Sequence, residues 1–222
     1  MTDASRRPWS KGVAGPDAAA PGSQATWTAA SLRIGAEALD ASQRLERAFA
    51  SMVLEWFPER RHHLFFLCIG TDRSTGDALG PLVGTFLARH GVPAERILGT
   101  LDEPVHAANL QDALRSHGLL NPQHRLVVAI DACLGPPENV GTLNLGVGSL
   151  RPGAGVHKQL PAVGDLYLTG TVNTGGFMEF FVLQNTRLSL VMRMATVAAE
   201  ALARATARLL GASAVAAPLT PC

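Results

Sequence analysis

The run Leu64-Phe65-Phe66-Leu67-Cys68-Ile69 limits what this chain can fold into more than any other stretch. A strand with one wet face alternates apolar and polar residues. An unbroken apolar run reads as a strand covered on both faces, the situation of a parallel sheet between helices. At Gly70 the character changes, and Thr71-Asp72-Arg73-Ser74-Thr75-Gly76-Asp77 is small, hydroxylated and charged. From Pro81 to His90 apolar residues return at helical spacing, with Leu82, Phe86 and Leu87 towards one side. Proline suits the first turn of a helix, where its missing N–H would have had no partner. The sequence therefore reads strand, polar loop, helix, and the loop lies where open α/β sheets bind ligands.

The same grammar recurs. Residues 96–102 read as a second strand ending in Asp102-Glu103-Pro104, followed by a helical segment from Val105 to about His117. Leu126-Val127-Val128-Ala129-Ile130 is a third strand, ending at Asp131-Ala132-Cys133-Leu134-Gly135. A weaker strand over residues 141–145 and another over 165–172 precede the break Asn173-Thr174-Gly175-Gly176. Two longer helices flank this array. Over residues 36–57, Leu39, Leu45, Phe49, Met52, Val53 and Trp56 fall on one stripe. Over residues 187–210, Leu188, Val191, Met192, Ala195, Ala199, Leu202 and Leu209 face the expected core, with Glu200, Arg204 and Arg208 opposite at i, i+4 spacing. Strands alternating with helices imply an α/β fold, here a three-layer α/β/α sandwich with a mostly parallel sheet. Residues 1–29, rich in Ala, Gly, Pro and Ser, are expected as a disordered leader; 30–211 as a single domain; and 212–222 as a tail.

Composition narrows the function classes. A formal net charge of +1 over 222 residues gives no electrostatic reason for a nucleic acid or an anionic membrane as partner. No apolar run approaches the roughly 20 residues of a membrane span, and no apolar signal core opens the chain. Cys68, Cys133 and Cys222 are far apart and form no CxxC pair, which speaks against a disulfide framework and a zinc site. These features together predict a reducing, cytoplasmic setting. Neither GxxxxGK[ST] nor GxGxxG is present, so no nucleotide cofactor is expected.

Asp77 and Asp131 are the leading candidates for chemistry, because both come where parallel strands discharge onto one rim. Two carboxylates held close cannot both ionise easily, and one acid plus one base around a water is what amide hydrolysis requires. Both could instead satisfy backbone N–H groups as caps. The same acids, Asp72, Asp77, Asp102 and Asp131, with His106 or His157, could form a mixed metal site, although no tight ligand spacing marks one. Cys133 could act as a nucleophile with His106 or His157 as base. In Pro152-Gly153-Ala154-Gly155 the glycines allow an anion nest, with Lys158 close by in sequence; they also serve simply to turn the chain.

Several of these stretches occur together and in order: residues 68–81, 99–106, 129–135, 152–158 and 170–179. With them the chain resembles the YyaC-type sporulation proteins, relatives of the spore germination protease. The resemblance covers most of residues 64–195. It implies a phosphorylase/hydrolase-like fold shared with the hydrogenase-maturation endopeptidases. It also implies an aspartate-dependent endopeptidase, whose two essential acids carry over to Asp77 in Asp-Ala-Leu-Gly-Pro and Asp131 in Ile-Asp-Ala. Asp72, Asp102, Glu103, His106, Gly153, Gly155 and Lys158 are then expected to line the rim and hold a peptide or small protein substrate, in the cytoplasm or forespore. No metal is assigned, since no histidine aligns with the endopeptidases' nickel ligand. A non-catalytic binding protein on the same fold and a metal-dependent hydrolase are the alternative expectations.

Overall fold

The architecture follows from where each apolar run finds cover. In the computed structural model, which describes residues 31–119, 124–152 and 160–211, the elements in chain order are as follows. They are β1 (Ser31–Gly35), α1 (Ala41–Trp56), β2 (Leu64–Cys68), α2 (Leu79–Arg89), β3 (Ile97–Leu98), α3 (Leu110–Ser116), β4 (Leu126–Gly135), β5 (Thr142–Val147), β6 (Leu166–Thr174), α4 (Glu179–Gln184) and α5 (Leu188–Leu210). The expected leader and tail, and the loop carrying Gly153, Gly155, His157 and Lys158, lie outside the described residues.

The strands form one six-stranded sheet in the order β1-β5-β6-β4-β2-β3. β6, β4, β2 and β3 pair in parallel, while β5 runs antiparallel to both β6 and β1. Every residue of β2 is buried, as its unbroken apolar run requires. Leu64, Phe66 and Cys68 point into one cluster with Leu126, Val128 and Ile130 of β4, covered by α1, α2 and α5. Phe65, Leu67, Val127 and Ala129 point the other way, into a smaller cluster under α3 with Leu110 and Leu114. This is the three-layer α/β/α arrangement, with its two outer layers unequal.

The larger layer packs tightly because small residues permit it. Ala195, Ala198, Ala199 and Ala205 on α5 are fully buried, and α5 lies against both α1 and α2. A Cβ on Gly84 of α2 would collide with the Gly99 carbonyl, so this glycine sets the approach of the helix to the sheet. Polar side chains tie the rim of the layer. Glu46 of α1 accepts from Arg204 Nε and from Arg208 Nη1 of α5, both at 2.9 Å. At the amino-terminal end of the sheet, Arg60 donates to both carboxylate oxygens of Asp165 at 3.0 and 2.7 Å, and Asp165 Oδ2 also accepts from Val127 N at 3.0 Å.

Several local expectations need correction. β1 was not anticipated: its burial pattern shows Ile34 as the one fully buried residue, too little periodicity to read, and the strand is specified instead by antiparallel pairing with β5. Leu39 lies ahead of α1 rather than on its stripe, and is fully exposed. The segment after Val105 becomes helical only at Leu110. β4 continues through Asp131 to Gly135 because β6 runs alongside and supplies ladder partners. On α5 the buried stripe begins at Val191 and continues through Met194 and Ala195, which leaves Leu188 and Met192 outside it.

Candidate functional site at the switch point of the sheet

The chain leaves β2 through α2 on one face to reach β3, then returns through α3 on the other face to β4, on the opposite side of β2. The carboxyl ends of β2 and β4 therefore flank the point where the winding reverses. At such a point the two connections diverge and leave a crevice, the usual ligand site of an open α/β sheet. Asp77 lies in the loop that follows β2, and Asp131 lies within β4, one residue beyond Ile130, which pairs with Cys68 at the end of β2.

Backbone hydrogen bonds fix the floor. Ile69 N donates to Ile130 O at 2.7 Å, Gly70 N to Val105 O at 2.8 Å, and Thr71 N to Asp77 O at 3.1 Å. Gly70 has φ +143°, and a Cβ there would strike the Asp77 carbonyl. The loop can thus close on itself only over a glycine. Asp77 sits in a 3-10 turn, Gly76–Ala78, which packs against β4 and runs into α2. Pro81 falls inside the first turn of α2, where a missing N–H still costs nothing.

Asp77 does not cap α2: neither the 3-10 turn nor α2 has a side-chain cap. Its carboxyl accepts no hydrogen bond among the described residues. Burial pushes its pKa up, and the nearby His106 charge partly offsets this. His106 is itself held: its N–H donates to Asn109 Oδ1 at 2.8 Å, and its Nδ1 accepts from Ala108 N at 3.2 Å. With Nδ1 occupied as acceptor, the neutral ring carries its proton on Nε2. Ser74, in the same loop, has a buried hydroxyl without a hydrogen-bond partner among the described residues.

Asp131 is 8% exposed, and its Oδ1 accepts from Ala132 N at 2.9 Å. It shares strand parity with Val127 and Ala129, so it projects from the α3 face of the sheet. On that face the register lines up a polar row that sequence reasoning missed. Asp131 pairs with Thr169, Thr169 with Asn144, and Asn144 with Arg33. Tyr167 and Thr171 flank Thr169 at the same parity. Burial raises the Tyr167 phenol, against a hydrogen bond from Asn144 and the charge of Arg33. The signal was present in the sequence: Leu-Arg-Ile, Thr-Leu-Asn-Leu and Leu-Tyr-Leu-Thr-Gly-Thr alternate, and the polar members of all three share one face.

Cys133 is also on this face, with its Sγ 3.5 Å from Thr171 Oγ1. Burial pushes the thiol up against the hydrogen bond with Thr171, the Asp131 charge adds a smaller push, and Thr169 and Arg33 pull weakly the other way. Burial disfavours the thiolate form that a nucleophile uses, which weighs against Cys133 in that role. Of the remaining expected rim residues, Asp72, Asp102 and Glu103 are exposed at loop tips. Glu103 closes a turn, its N–H donating to Thr100 Oγ1 at 3.1 Å. Among the described residues, no three His, Cys, Asp or Glu side chains are grouped to hold a metal. A surface groove of about 590 Å³ between α1 and the end of α5, lined by Leu54, His62 and Arg208, contains none of the expected site residues.

The molecule is thus an open-sheet α/β protein with polar side chains at its switch point, and no described helix is long and apolar enough to cross a membrane. The chain belongs to the family described as "Protein of unknown function (DUF1256)", which matches residues 34–201. It is similar to "Uncharacterized protein YyaC" of Bacillus subtilis (strain 168), 55% identical over 136 residues, which are 61% of this chain and 66% of that relative. The chain therefore spans just under two thirds of that relative's length. The YyaC-type resemblance read from the motifs is thereby established.

Proposed function

We propose that this protein is a peptidase-like hydrolase of sporulating cells, with Asp77 and Asp131 as an acid and base pair acting on a peptide bond. The observation that carries the reading is the state of Asp77: a half-buried carboxyl at the switch point, raised in pKa by burial and committed to no hydrogen bond among the described residues. Where two nearby carboxyls differ in environment, the one pushed up serves as acid and the other as base. Asp131, as carboxylate, takes a proton from water as its oxygen bonds to the scissile carbonyl carbon. Asp77 gives its proton to the amide nitrogen as the C–N bond breaks. The proton left on Asp131 passes through solvent to Asp77, which restores the starting state, and His106 stands beside Asp77. The polar row from Thr169 to Arg33 offers donors and acceptors to an extended backbone lying across the sheet face, which suits a peptide or small protein substrate.

The test is incubation of the full chain with small acid-soluble spore proteins and with unfolded polypeptides, beside Asp77→Asn and Asp131→Asn. Cleavage by the parent that falls at least 100-fold in both variants supports the reading. Cleavage that survives either substitution contradicts it. The polar row favours a second reading, a non-catalytic peptide-binding protein. Saturable binding with no cleavage, weakened by substitutions at Asn144 and Thr169, would establish that instead.

A further inference from the structure

α4 has the composition of a core helix, Glu-Phe-Phe-Val-Leu-Gln, yet none of its residues is buried. Its orientation is fixed from behind. Asn173 Nδ2 donates to Val182 O at 3.2 Å and Thr186 Oγ1 to the same carbonyl at 3.0 Å, and Leu183 lies against Gly76. Met178, entering the helix at φ +58°, is the one non-glycine residue with positive φ among those described. The aromatic side is therefore held outward rather than left there by slack. Phe177, Met178, Phe180, Phe181, Leu188 and Met192 are 88, 51, 62, 52, 58 and 37% exposed. The Phe180 and Phe181 rings meet edge to face at 5.8 Å, and Leu188 and Met192 stand one turn apart on α5.

Taking about 200 Å² for each such side chain, α4 and the two residues before it expose roughly 500 Å² of large apolar surface, and Leu188 and Met192 at the start of α5 expose roughly 200 Å² more. The largest apolar patch of an ordinary monomer is about 300–600 Å², whereas a stable interface takes about 800 Å² from each partner. Two charges of opposite sign lie next to these residues in the chain. Glu179 opens α4 and Arg187 precedes α5, and neither has an ion-pair partner among the described residues. In an isologous interface a contact between Glu179 of one copy and Arg187 of the other occurs twice, because two-fold symmetry repeats every contact.

We infer that the face formed by α4 and the start of α5 is the interface of a symmetric dimer, and that its occupant is a second copy of this chain. The apolar surface approaches what one partner gives to a stable interface, and the opposite charges beside it let the same surface serve both partners. The face also backs the Asp77 loop through Leu183 and Gly76, so the dimer steadies the crevice without depending on what reaction occurs there.

Sedimentation velocity of the full chain over a concentration series tests this. The expected result is a dimer at micromolar concentration, shifted to monomer by Phe180→Glu with Phe181→Glu while circular dichroism is unchanged. A subtler pair keeps the rings intact. Arg187→Glu alone should weaken dimerisation at least tenfold, and adding Glu179→Arg should restore most of it. A chain that stays monomeric throughout, a dimer indifferent to both ring substitutions, or an open-ended series of larger species each overturns the inference.

Discussion

The two faces of the sheet are built on opposite terms. On one, α1, α2 and α5 cover the strands with fully buried alanines, leucines and Phe49, and the polar residues sit outside that cover in paired networks. On the other, α3 covers only a small cluster, and the strands towards β1 present Arg33, Asn144, Thr169 and Asp131 in register. The fold is secured by the first face, which leaves the second free to carry groups that a core would not tolerate. Glu46 and Asp77 show the same division. Burial raises Glu46, but bonds from Arg204 and Arg208 outweigh it and leave its pKa below the ordinary value. Burial raises Asp77, and no cation compensates it fully.

The largest expected effect lies on the covered face. Phe49→Ala removes a ring that is fully buried and packed 6.4 Å from Phe66, and should cost about 3–5 kcal/mol in urea unfolding. If the faces are separate in role, the substrate or peptide affinity of the folded fraction stays unchanged. Asp165→Ala comes next. It removes the carboxylate that accepts from Arg60 and from Val127 N at the amino-terminal edge, and should cost about 2–3 kcal/mol, since the pair is mostly but not wholly buried. Glu46→Gln should cost about 1 kcal/mol at pH 7, because both guanidinium partners are substantially exposed.

The pH series sharpens the contrast by its sign. Glu46 is depressed on folding, so its contribution is present above the ordinary carboxylate range and is lost as pH falls through the folded value. The Glu46→Gln and parent melting curves should converge as the pH falls below the folded value. Asp77 is raised on folding, so its contribution is complete below the ordinary value and is lost as pH rises through the folded one. Asp77→Asn should therefore melt higher than the parent at pH 7 and alongside it near pH 3. The smallest stability effect is expected for Asn144→Ala, about 1 kcal/mol or less, together with a clear loss of peptide affinity by calorimetry. A variant that loses stability but keeps its affinity would remove the polar row from the binding account.

What could be read in advance divides along the same line. β2 and β4 announce themselves because burial on both faces demands unbroken apolar runs, and α5 because its stripe spans many turns. β1 could not be read, since Ile34 alone carries its burial and its partner β5 lies far along the chain. Spacing alone places Leu188 and Met192 on the core side, but the helix packs through a stripe rotated away from them, which only the neighbouring helices decide. Asp77 and Asp131 stood out as acids closing buried strands. Arg33, Asn144 and Thr169 did not, because each is an ordinary polar residue of its own strand and they meet only through the sheet register.

The central claim is that two acids, distant in sequence, share one crevice. The most direct measurement is a carbon-13 NMR titration of the Asp77 carboxyl in the parent and in Asp131→Asn. The account predicts a pKa above the ordinary aspartate value in the parent, and a fall when Asp131 loses its charge. An identical titration curve in the two proteins would contradict it.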